Sequence, residues 1–161
     1  MFTKITQKLI EKIKELCGAE NVFCDEETLA VYAHDETAGP KRERARTLLA
    51  DLWNAHAGCL SVQVLQEVYV TLTVKVPRPL EAGTATAIVS DLSRWYIHVP
   101  GSADVLGAIA LHRRHRISFW DAMIVWSAQQ QGCTTLWSED LSPGQTYDGL
   151  RVRNPFLSTG V

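Results

Sequence analysis

The sequence predicts an α/β domain in three layers, α/β/α, with a short parallel sheet covered by helices on both faces. Short apolar runs of strand length alternate with helix-length segments through nearly the whole chain, the pattern of βαβ units and a buried parallel sheet. Glycine, proline and serine punctuate almost every boundary between them. The 161 residues suit one domain, large enough to bury a core without metal or disulfide staples.

Taken in order, Ile5, Leu9, Ile10, Ile13 and Leu16 recur at helical spacing among lysines and glutamates, predicting an amphipathic helix that stops at Gly18. Val22, Phe23 and Cys24 make a short strand. Residues 28–34 form a helix with Leu29, Tyr32 and Ala33 on one face, broken by Gly39-Pro40. Residues 41–57 form a long helix carrying Leu48, Leu49, Leu52 and Trp53. Cys59-Leu60 is a minimal buried strand, and Ser61 caps a helix over 62–76. Pro77 and Pro79 end it, and Pro79 opens another to about Ser93. Residues 95–99 are a strand bounded by Pro100-Gly101. Ser102 caps a helix to His115, and Ser118 caps one over 119–131. Residues 133–137 and 150–152 supply the last strands.

Composition sets broad limits. Hydrophobic residues make up 46% and charged residues 21%, which excludes a disordered chain. A net charge of −2 argues against a polybasic binder, yet leaves RNA open as a substrate because local patches matter more. Cys17, Cys24, Cys59 and Cys133 include no C-x-x-C pair, so zinc-ribbon and redox motifs lack support and a reducing cytoplasm is expected. No apolar run spans a bilayer, and the N-terminus shows no signal-peptide pattern.

Open parallel sheets place their sites outside the carboxyl ends of the strands, so acids there draw notice. Glu67 lies two turns into a mostly apolar helix. Asp121 lies in the first turn of another, and Asp140 directly after the strand ending at Trp137. Each has an ordinary explanation. Asp121 favours the helix dipole by about 0.3–1 kcal/mol, Asp140 suits a turn, and Glu67 suits a solvated helix surface. Three at one sheet end are harder to dismiss, because clustered carboxylates repel unless a cation neutralises them. Oxygen-only ligands favour Mg²⁺ or Mn²⁺, and such a site serves phosphodiester cleavage.

Several stretches, in order and at matching spacings, resemble the PIN domain and within it the VapC-like toxins: Tyr32-Ala33-His34-Asp35, LSVQVLQEVYVTLTVK (residues 60–75), ISFWDAMIV (117–125), LWSEDL (136–141) and VRNPF (152–156). The resemblance covers about residues 31–156. It implies a PIN-like fold and a ribonuclease, the toxin of a toxin–antitoxin pair, with four acids around Mg²⁺ or Mn²⁺. Three map onto Glu67, Asp121 and Asp140; Ser138 supports the ligands, and Glu139 is an extra acid. RNA, an antitoxin protein and a second copy of the chain are the implied partners. A PIN-fold binding module without catalysis is the alternative.

The family's first acid belongs to a D-T-N motif ending the first strand. Counting back from Tyr32 without a gap puts it at Glu26 and the asparagine at Thr28; a one-residue insertion puts it at Asp25, which follows the apolar strand and is preferred. Residues 10–37 also resemble the N-terminus of FAD-linked oxidases of the glycolate oxidase and D-lactate dehydrogenase kind. With no flavin-binding body following, that likeness implies no flavin function. The expected organisation is a helical leader over 1–21, the nuclease-like domain over 22–157 and a tail over 158–161.

Other features have mainly structural readings. The run His112-Arg113-Arg114-His115-Arg116 suits a helix C-terminus at least as well as RNA phosphates. Lys41-Arg42-Glu43-Arg44-Ala45-Arg46 reads as a solvated helix face. His34, His56 and His98 lack metal-ligand spacing. Most of Trp53, Trp95, Trp120, Trp126 and Trp137 are expected in the core or an interface, with stacking on RNA bases as the less favoured alternative.

Overall fold

A computed structural model describes residues 22–24 and 26–157, with side chains from Leu29 onward. The expected leader helix, residue 25 and the tail lie outside the described residues. Six strands form one sheet in the order β3-β2-β1-β4-β6-β5: β1 (Val22–Cys24), β2 (Gly58–Ser61), β3 (Tyr96–His98), β4 (Thr135–Trp137), β5 (Thr146–Tyr147) and β6 (Leu150–Arg153). Every pairing is parallel except β5 with β6.

The helices are α1 (Glu26–His34), α2 (Pro40–Asn54), α3 (Val62–Val70), α4 (Ala82–Leu92), α5 (Ser102–His115) and α6 (Phe119–Gln130). The crossovers from β1 to β2 and from β2 to β3 travel one way along the sheet, and the crossover from β3 to β4 travels back. Right-handed connections therefore put α1–α4 on one face and α5–α6 on the other. The packing agrees: α1 contacts α2 and α3, α3 contacts α4, and α5 pairs with α6. All four residues of β2 are buried, as both-sided cover requires. Leu29, Leu60, Val64, Val125, Leu136 and Val152 are almost wholly buried and join the two layers through the sheet. Among the described residues no helix is long and apolar enough to cross a membrane.

The structure corrects four local expectations. First, a hairpin joins β5 to β6. Its turn is Asp148-Gly149 with φ of +47° and +96°, the doubly positive geometry that Asp-Gly favours. That dipeptide was a legible hairpin signal, but two-residue β5 is too short to show alternation. Second, the helix from Val62 does not run uniformly to 76. It changes to a π-helix over Thr71–Lys75, where the Val76 N–H reaches back to the Thr71 carbonyl at 3.1 Å. Third, Ser102 is inside α5, and Gly101 is the cap. Asp104 accepts the Gly101 N–H at 2.7 Å and the Trp126 indole N–H at 3.0 Å. Those hydrogen bonds, the indole's foremost, hold the Asp104 carboxyl below its usual range. Fourth, the face around residues 41–46 is not merely solvated. Ala45 is fully buried, and the Arg44 side chain donates to the Pro155 carbonyl at 2.6 Å.

The Asp104–Trp126 bond also fixes how closely α5 and α6 approach. A Cβ on Gly107 would stand 2.3 Å from the Trp126 ring. The indole is tethered at its nitrogen and has little room to yield. Gly107→Ala is expected to lower unfolding free energy by about 1–3 kcal/mol, the usual cost of overpacking. Gly83, in α4, has nothing within 4 Å of its added Cβ. Gly83→Ala is expected to raise stability by up to about 1 kcal/mol. Urea denaturation of both variants checks the pair.

Candidate active site

The strand order reverses between β1 and β4, so their carboxyl ends border a crevice, the usual place for a ligand in an open α/β sheet. Cys24, the last residue of β1, pairs with Trp137, the last residue of β4. The next residues along these two strands, 25 and Ser138, therefore begin the two chain segments leaving this edge. Asp25 lies outside the described residues, and Glu26 opens α1 with its side chain also outside them.

Three sequence-predicted acids line a common cleft. Glu67 from α3, Asp121 from α6 and Asp140 from the turn after β4 line one cleft of about 440 Å³, together with Gln63, Gln66, Lys75, Trp120 and Ile124. A second hollow of about 330 Å³ shares Lys75 and Asp140 with it and adds Tyr32, Asp35, Thr71 and Glu139. The two form one acidic depression.

Local chemistry aims each acid. Ser118 caps α6: its hydroxyl accepts the Asp121 N–H at 3.0 Å and donates to the Asp121 carboxylate at 2.7 Å. The cap predicted from sequence thus also restrains the acid's rotamer. Gln63, one turn before Glu67, donates its amide to Oε1 of that carboxylate at 2.9 Å. Ser138 is fully buried, and its hydroxyl accepts the N–H groups of Asp140 and Leu141, both at 3.2 Å. It supports Asp140 by shaping the turn. Burial raises the Tyr147 phenol above its usual range, and the negative charge of Asp121 adds to the shift.

Glu139 is turned to another task. Its carboxylate forms an ion pair with Lys41, whose ammonium also donates to the Tyr32 hydroxyl at 3.3 Å. The same ammonium lies 4.7 Å from the Tyr32 ring centre and 4.9 Å from that of Phe156. The hydrogen bond to Glu139 raises the Lys41 pKa above its usual value. This contact ties α1, α2 and the turn after β4 together beside the cleft.

The cleft also contains groups that the sequence did not single out. Lys75 ends the stretch matched from residue 60 and lines the cleft with Glu67. Trp120 lines it too and is 66% exposed, so it is not one of the core tryptophans. Asp35 accepts from the Thr37 N–H and hydroxyl at 2.8 and 2.7 Å, closing the turn after α1. Arg114 in the basic run pairs with Asp148 at the hairpin turn.

The donor set suits a hard cation such as Mg²⁺ or Mn²⁺ by its chemistry: three carboxylates, with no cysteine or histidine lining the cleft. Its arrangement is open. Among the described residues no group of three or more His, Cys, Asp or Glu side chains gathers closely enough to hold a metal. The acids surround a volume rather than meet at a point.

A mostly parallel α/β sheet thus carries acids from three separate elements at its strand reversal. A profile of the PIN domain matches residues 7–146, and the chain belongs to the PIN-domain family. The crystal structure of Mycobacterium tuberculosis VapC20, described as a toxin that cleaves the sarcin–ricin loop, has a similar fold. The likeness has a TM-score of 0.54 at 17% sequence identity, covering 74% of this chain and 91% of that one. No curated protein matches the sequence.

Ser138 offers a direct test of how the turn is held. Ser138→Ala leaves the N–H groups of Asp140 and of buried Leu141 without this acceptor and is expected to cost about 1–3 kcal/mol of stability. Urea denaturation measures that loss, and an unchanged midpoint at unchanged m would show that Ser138 does not hold the turn.

Proposed function

We propose that this chain is an Mg²⁺- or Mn²⁺-dependent endoribonuclease, the toxin of a toxin–antitoxin pair, with Asp25, Glu67, Asp121 and Asp140 as metal ligands. The observation that carries the reading is the convergence of Glu67, Asp121 and Asp140 from three elements on one cleft at the strand reversal. Membership of the PIN family supports the nuclease class. The structural likeness to a toxin described as cleaving the sarcin–ricin loop makes ribosomal RNA a sensible first substrate.

The bound ion would polarise a phosphoryl oxygen and supply an activated water. The chain's own residues prepare the place for it. Ser118 fixes one rotamer of Asp121, Gln63 orients Glu67, and Ser138 shapes the turn bearing Asp140. Lys41 draws Glu139 to the side of the depression, so Glu139 serves as a brace rather than as an added ligand.

Asp25 follows the last residue of β1 and is the proposed fourth ligand; Glu26 starts α1. The proposed organisation keeps residues 1–21 as a separate N-terminal segment and 158–161 as a tail. We place the protein in the cytoplasm, in keeping with Cys59 and Cys133, which are buried and not joined in a disulfide. A homodimer is also part of this reading. Val62, Leu65, Tyr69, Val70 and Val89 line an open apolar groove between α3 and α4 that suits a second copy. Light scattering at micromolar concentration is expected to give twice the chain mass, and a monomer would remove the dimer from the reading.

The openness of the acid arrangement favours one competing reading, a PIN-fold module that binds RNA or an antitoxin without cleaving. Mn²⁺ titration followed by calorimetry, with cleavage of ribosomal RNA in parallel, separates the two. The nuclease reading expects Mn²⁺ binding and cleavage, and a loss of about a hundredfold or more in rate for Asp121→Asn, since the metal's charge stabilisation is worth several kcal/mol. Asp25→Ala is expected to weaken both metal binding and cleavage, and Glu26→Ala to do little. Equal cleavage by Asp121→Asn and the parent defeats the ligand assignment. A parent that neither binds Mn²⁺ nor cleaves leaves the binding module.

A further inference from the structure

We infer that Trp120 stacks a base of the bound RNA and that Lys75 holds an adjoining phosphate. This rests on the nuclease reading for its chemistry, but its binding claim is separable.

An acid-lined cleft repels the phosphates it must receive. A cation in the wall offsets that repulsion, and Lys75 is the cation lining both hollows. Its place there depends on the change in helix type. In an uninterrupted α-helix Lys75 would be turned about 80° from Glu67, at about 100° per residue. The π segment Thr71–Lys75 is more loosely wound, with the Val76 N–H reaching the Thr71 carbonyl. That extra width takes up the offset, and Glu67 and Lys75 line the same cleft. Single π turns recur at functional sites because they re-aim side chains in this way.

Trp120 is the second observation. It follows Phe119 and precedes Asp121, lines the cleft, and leaves 66% of its surface exposed. Its edge meets Phe119, with ring centres 5.2 Å apart at 64°, so the indole is steadied without being covered. An exposed indole beside the reacting centre offers an apolar face at little structural gain. Bases supply the matching π-face when they are unstacked, in loops and single strands. A base in a duplex is covered on both faces by its neighbours.

The test uses a labelled single-stranded oligoribonucleotide and its duplex, with Ca²⁺ as the probe metal so that binding is read without cleavage. The parent is expected to bind the single strand more tightly than the duplex. Trp120→Ala should weaken single-strand binding by about five- to a hundredfold, the range for loss of one stacked base, while Trp120→Phe keeps most of it. Lys75→Gln should reduce the slope of log affinity against log salt by about 0.7, one phosphate's share for single strands, and Lys75→Arg should restore it. Thermal melts show whether each variant is folded. Parent preference for duplex, or unchanged affinity in folded Trp120→Ala, overturns the stacking site; an unchanged salt slope in Lys75→Gln overturns the phosphate contact. Cleavage in Mn²⁺, measured separately, reports on the nuclease reading: strand preference without cleavage refutes that reading alone, and cleavage without these binding losses refutes this inference alone.

Discussion

A right-handed crossover leaves its helices on one face of a sheet, and a crossover travelling back must leave them on the other. In this chain the change of direction falls between β1 and β4. The two strands are neighbours in register, yet their following segments diverge, and a crevice opens at their carboxyl ends. Glu67, Asp121 and Asp140 belong to a helix on one face, a helix on the other face and the turn after the strand at the reversal. Without the reversal, these three elements would not border one space.

Keeping acids together sets the second constraint. Like charges in a partly dry cleft repel, and the surrounding fold must hold them against that repulsion. Each is held by a short local device: a helix-cap hydroxyl for Asp121, an amide one turn away for Glu67, and a buried hydroxyl bonded to two backbone N–H groups for the turn carrying Asp140. Lys41 performs the complementary task beside the cleft. By engaging Glu139, Tyr32 and Phe156, it ties α1 and α2 to the turn after β4 and draws one negative charge out of the centre.

The rigidity of α6 and the irregularity of α3 play different parts. Helix α6 is buried on most sides and presents Asp121 and Trp120 from its first turn, where the cap fixes direction. Helix α3 also begins at a serine cap, with Ser61 accepting the Val64 N–H at 3.4 Å, but it widens after Val70. A regular end would have kept the i to i−4 hydrogen bonds and lost the present aim of Lys75. The substituted bonding pattern thus connects backbone geometry to cleft charge.

The sequence by itself determined the alternation of strands and helices, and with it the parallel sheet and its two covering layers. It also determined which acids fall near strand ends, because Ser61, Ser118 and the strand ending at Trp137 mark those boundaries through caps and apolar runs. These signals are local, written within a few residues. Tertiary structure decided what local patterns do not encode: that the order reverses at β1 and β4, that β5 returns antiparallel, that Lys41 reaches Glu139 from 98 residues away, and that Lys75, at the end of a π segment, lines the cleft with Glu67. The first and third depend on packing between segments far apart in the chain, where the energy lies in contacts that hydrophobic period and residue propensity do not specify.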